Sequence, residues 1–153
     1  MTTKTDYTAF DNADWVALPP AVKREACAIV CTAIEGGVNY WAEVRSYKWQ
    51  HFNPDGTDTD AKGRILFSED THAILRDAED GGRSGRLRLD GPAVVRGLAK
   101  LANGSVRCGR PSAEGSWIEA LGRLLAGSDE LDLDAGDADC IAQAALFGEI
   151  VYG

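Results

Sequence analysis

Residues 35–57 read EGGVNYWAEVRSYKWQHFNPDGT, and this stretch decides the fold. Upstream, Val22, Ala26, Ile29, Val30, Ala33 and Ile34 recur at three and four, so one stripe of a helix is apolar. Pro19-Pro20 suits its first turn, and Gly36-Gly37 supplies the left-handed stop that helix ends favour. From Val38 to Phe52 the period changes to two. Trp41, Tyr47 and Trp49 share one face, with Tyr40, Ala42, Val44 and Phe52 on the other. Asn53-Pro54-Asp55-Gly56-Thr57 is a turn.

Reading outward, Arg64–Phe67, His72–Leu75 and Arg86–Leu89 are further short strands, separated by the Asp80–Gly85 loop. Asp90 caps a helix with Pro92 in its first turn and Val94, Val95, Leu98 and Leu101 inward. A second runs over 112–126 with Trp117, Leu121, Leu124 and Leu125 inward. An acidic loop at 127–136 then precedes a last helix, capped near Asp137 and carrying Ile141, Ala144, Ala145 and Phe147. Ile150, Val151 and Tyr152 form an apolar tail expected to dock. The expected class is α+β: a meander of three or four antiparallel strands with about four helices, in the order α-β-β-(β)-β-α-α-α. Residues 1–18 read as an arm anchored by Trp15 and Leu18, and 19–153 as a single domain.

Of 153 residues, 44% are hydrophobic and 26% charged, which is the composition of a folded globule. The longest apolar runs, such as Ala26–Ala33, are too short to span a bilayer. The first residues lack the apolar core of a secretion signal, so the expected location is the cytoplasm, with no membrane contact. Cys27, Cys31, Cys108 and Cys140 have no paired zinc spacing and read as buried thiols.

Charge is unevenly distributed around the net −8. Residues 83–110 hold seven cations against one carboxylate, a balance of +6, whereas residues 124–153 hold seven carboxylates and no cation. No aromatic lies between 83 and 110 to stack bases, so direct nucleic-acid binding is not expected. The arginines are expected to face the chain's own acidic tail. Asp129, Glu130, Asp132, Asp134, Asp137 and Asp139 form the acidic surface a basic partner would meet.

Few motifs carry chemistry. Asp58, Asp60 and Glu69, with Gly63 at the sixth position, match the spacing of a calcium loop. Lys62 stands where a fifth-position oxygen belongs, and Pro54 and Gly56 break the helix that should enter it, so no metal is assigned. His51 and His72 sit in no metal motif, Ser84 lacks a nucleophile elbow, and Glu35, Glu43 and Asp70 remain generic carboxylates. No cofactor fingerprint occurs, and a binding role is favoured over catalysis. The candidate small-ligand cleft is Glu35, Gly36, Gly37, Tyr40 and Trp41, with Arg86 and Arg88 supplying positive charge.

The EGGxxYW stretch, with the closing Ala145–Gly153 segment ALFGEIVYG, resembles small proteins carried by phages and other mobile elements. Over residues 20–103 the order of elements is also similar to the ArdB-type antirestriction family, in which a helix leads into a Gly-Gly-x-Trp strand, a hairpin and closing helices. Here two more residues separate Gly37 from Trp41, the family's Asn-Gly hairpin is absent, and no functional residue carries across. The resemblance implies a non-enzymatic inhibitor of a host defence system, of restriction or CRISPR type. Its expected partner is a basic or nucleic-acid-handling host protein, and a homodimer is compatible with the sequence. A nucleotide-sequestering protein and a carboxylate-dependent enzyme are the alternatives.

Overall fold

The computed structural model describes residues 5–109, 116–129 and 131–153. Among the described residues three antiparallel strands and five α-helices form an α+β domain. After a 3-10 turn at Tyr7–Ala9, α1 (Asn12–Val16) opens with a capping box in which Asp11 and Asp14 satisfy each other's backbone N–H groups. Residues 7–16 are therefore folded. Phe10 and Trp15 enter the core, Arg96 donates to the Phe10 carbonyl at 2.7 Å, and the Trp15 indole fills the space a side chain at position 91 would need.

Helix α2 (Pro20–Thr32) buries the expected stripe and then widens into a π-turn, Ala33–Gly37, closed by the Val38 N–H on the Ala33 carbonyl at 2.9 Å. The two glycines thus sit inside a loosened helical turn, and the chain turns once more before pairing. Strand β1 (Ala42–Gln50) begins four residues later than the alternation suggests. Trp41 belongs to that turn and is fully buried, off the face of Tyr47 and Trp49. Of the strand expected at 64–67 only Phe67 is in β2 (Phe67–Asp77), which contains the one expected at 72–75, and Ile65 makes only an isolated bridge to Thr59. Strand β3 (Leu87–Asp90) completes the order β1-β2-β3. Register shifts at Val44/Ser46 and Lys48/Gln50 break the period of two in β1.

Thr71, Ala73, Leu75, Asp77 and Leu89 are buried on one face of the sheet. Helices α3 (Gly91–Ala102), α4 (Trp117–Leu125) and α5 (Ala135–Phe147) complete the domain. Asp90 caps α3, as its position before Pro92 demands, and Ser116 caps α4. Helix α5 starts earlier than expected because the capping box is Asp134 with Asp137 at the third helical position. Trp41, Leu75, Leu98, Leu124 and Ile141 are fully buried, each contributing about 1.5–3 kcal/mol of transfer free energy. A methyl group on Gly97 would overlap the Ile141 carbonyl, so α3 and α5 touch backbone to backbone. Among the described residues no helix is long and apolar enough to cross a membrane.

Candidate functional site

The π-turn matters because of what it faces. A hollow of ≈ 570 Å³ is lined by Gly36 and Gly37, by Tyr40, by Ala135, Gly136 and Asp139 of α5, by Cys108 and Cys140, and by the tail at Ile150, Tyr152 and Gly153. A methyl group on Gly37 would lie 2.7 Å from the Ala135 carbonyl oxygen, so glycine is what lets the turn approach α5.

The floor of the hollow is a chain of polar groups. Asp139, 7% exposed, accepts the Trp41 indole N–H at 2.8 Å and a Gln143 amide hydrogen at 3.0 Å on Oδ1, and the Tyr40 hydroxyl at 2.6 Å on Oδ2. Gln143, fully buried, grips the tail through both ends of its amide. Oε1 accepts the Val151 and Tyr152 backbone N–H groups at 2.9 and 2.8 Å, while Nε2 donates to the Tyr152 carbonyl at 3.2 Å. The Tyr152 ring stacks on Trp41 at 5.6 Å, and its hydroxyl donates to Asp77 Oδ2 at 2.7 Å. Asp77 Oδ1 in turn accepts the Glu79 and Asp80 N–H groups. Asp77 thus holds the tail directly and Asp139 holds it through Gln143, each buried carboxylate being supplied with donors as burial requires.

The Tyr40 ring is half exposed while its hydroxyl is tucked against Asp139. Burial, and then the hydrogen bond to that carboxylate, push its pKa up to about 12. The hydroxyl therefore stays a donor at neutral pH, fixed on Asp139 and presenting the ring to the hollow.

Of the expected cleft residues, Gly36, Gly37 and Tyr40 line the hollow, and Trp41 braces it from beneath. Glu35 is exposed and does not line it. Arg86 and Arg88 are placed elsewhere. Arg88 donates to Asp90 at 2.9 Å and Asp70 at 3.1 Å, and Arg86 lines a separate groove beside Arg45 and Arg76. Asp70 also lies 3.5 Å from Lys48 and 3.6 Å from His72, and Glu43 pairs with Arg45 and Arg76. Of the cations at 83–110, Arg88 thus makes its ion pairs within the sheet, and Arg83 and Arg96 donate to the backbone carbonyls of Asp80 and Phe10.

The acidic set divides. Asp129, Asp132 and Asp134 are exposed, with Asp129 3.8 Å from Arg64 and Asp134 spending its carboxylate on the α5 cap. Asp137 and Asp139 are buried, because the helix starts early enough to turn both inward, and neither belongs to a contact surface. Glu130 lies outside the described residues.

The calcium-like spacing also disperses. Asp58 accepts from Gln50, and Asp60 accepts the Lys62 and Arg64 N–H groups together with the Arg64 guanidinium. Glu69 pairs with Lys23 at 3.0 Å from strand β2. No cluster of three metal-ligating side chains forms among the described residues.

The cysteines fall into two kinds. Cys27 and Cys31 lie buried in α2, and burial pushes their thiols up to about 12 and about 11. Cys108 and Cys140 meet at the wall of the hollow with their sulfurs 2.7 Å apart. Sequence reasoning missed Asp139 and Gln143 as the floor of this site. The signal available was their i, i+4 spacing on one helix, opposite an unusually aromatic turn. Comparisons with known protein families, with characterised proteins and with solved structures return no match.

Proposed function

We propose that the protein binds a small ligand in the hollow between the Gly36-Gly37 turn, α5 and the tail. The observation that supports this is a concave site of ligand size whose floor is a hydrogen-bonded polar chain beneath aromatic and small side chains. A ligand of matching chemistry offers a flat apolar body to Tyr40, Tyr152 and Ile150 and a hydrogen-bond donor to the Asp139 carboxylate. Glycines at 36, 37, 109, 136 and 153 leave room for close approach.

Thermal shift against a panel of amines, nucleosides and nucleotides tests the reading. A ligand at a hundred times its Kd stabilises the fold by about 2.7 kcal/mol. Gly36→Leu should remove the shift, since a side chain there projects past Ala135 without backbone overlap. Circular dichroism checks that the variant folds. No shift across the panel, or an undiminished shift in the folded variant, overturns the reading.

A second reading rests on Asp129, Asp132 and Asp134, three exposed carboxylates within six positions. In this reading the protein contacts a basic, nucleic-acid-handling partner and inhibits a host defence system. Asp129→Lys with Asp132→Lys should abolish capture of such a partner from nuclease-treated lysate, whereas Gly36→Leu should not.

A further inference from the structure

Cys108 follows α3 and is half-buried; Cys140 is in α5 and 6% exposed. They lie 32 positions apart in sequence, yet their sulfurs are 2.7 Å apart. The two sulfurs are thus in direct contact, as formation of a disulfide requires, and among the described residues no third metal-ligating side chain groups with them.

We propose that Cys108 and Cys140 are a redox modification site, converted by a hydroperoxide into a reversible disulfide that ties the segment after α3 to α5. Both thiols open onto the hollow, which gives a small oxidant access. The more exposed Cys108, as its thiolate, attacks the peroxide oxygen. The O–O bond breaks, the alcohol or water leaves with the proton, and Cys108 becomes a sulfenic acid. The Cys140 sulfur then displaces hydroxide, which takes up the Cys140 proton and leaves as water. With hydrogen peroxide, two thiols and one oxidant give one disulfide and two waters. Dithiothreitol reverses the change by two exchange steps. Cys27 and Cys31 are internal controls, buried and with raised thiol pKa values. This inference does not depend on whether the hollow takes a ligand.

The test treats the reduced full chain with equimolar hydrogen peroxide, then alkylates it in denaturant with N-ethylmaleimide and weighs it. The expected product carries two alkyl groups instead of four, yields a non-reduced peptide linking Cys108 to Cys140, and returns to four alkyl groups after dithiothreitol. Its melting temperature should rise by about 5–10 °C on oxidation, as expected for closing a loop of this length. Cys108→Ser should leave three alkylated thiols and no intramolecular link. Four alkylated thiols in the wild type, a link through Cys27 or Cys31, a dimer between chains, or Cys108 gaining oxygen without a bridge would each overturn the proposal.

Discussion

Two stretches of the acidic C-terminal third differ in everything but composition. Asp129, Asp132 and Asp134 stand in water, whereas Asp137 and Asp139, a few residues on, are in the interior. The difference is helical phase. Once Asp134 caps α5, Asp137 at the third helical position turns back to accept the Asp134 N–H, while Asp139 at the fifth meets the π-turn and accepts the Trp41 indole and the Tyr40 hydroxyl. A tally of charge along the chain overstates the negative surface, because buried carboxylates are answered by local dipoles before any partner is met.

The comparison breaks most decisively at Asp139. Asp139→Ala strands the Trp41 indole N–H, the Tyr40 hydroxyl and a Gln143 amide hydrogen together, and urea denaturation should show a loss of about 3–5 kcal/mol. Gly37→Ala attacks the same contact from the other side by driving a methyl group against the Ala135 carbonyl, for about 1–3 kcal/mol. Gln143→Ala should cost about 2 kcal/mol and expose the Val151 and Tyr152 amides to hydrogen exchange well ahead of global unfolding. Asp129→Asn, on the exposed side of the comparison, should move stability by no more than about 0.5 kcal/mol.

An alkaline titration sharpens the same contrast. Because the folded pKa of Tyr40 lies above its ordinary value of 10, the folded chain holds a proton that the unfolded chain releases between 10 and about 12. The stability contributed by this hydroxyl is complete below pH 10 and declines as pH rises through about 12. Stability measured against pH should fall less steeply across that window in Tyr40→Phe. An unchanged slope would mean that burial and the Asp139 contact do not hold the proton.

The helices are legible where a local device announces them, as Asp90 before Pro92 and the apolar stripe of α2 do; Gly36-Gly37 suggests a left-handed stop, but neither glycine takes positive φ and both lie in the π-turn. β1 was misread at its start because Val38 and Trp41 satisfy the alternation of a strand while belonging to a turn, and aromatic spacing cannot report a π-turn. β2 was divided because Ser68-Glu69-Asp70 is polar, although Ser68 is half-buried and Glu69 and Asp70 lie at the wet end of a single strand. Half of the cleft was visible in the glycines and Tyr40. The other half comes from α5 and the tail, which meet the turn only through tertiary packing, and no pattern within a window of ten residues encodes that meeting. Only charge argues for Arg86 and Arg88 in the cleft, and the approach to β3 and the strand itself carry them elsewhere.

The backbone contact at Gly97 sets which parts can yield. With no side chain to act as a bearing between them, α3 and α5 form one stiff plate, and sliding either helix past the other would require carbonyls to pass through Cα atoms. The remaining walls of the neighbouring hollow are the turn at 33–37, the Cys108-Gly109 segment and the C-terminal strap, and Gln143 on α5 latches that strap through the Val151 and Tyr152 backbone.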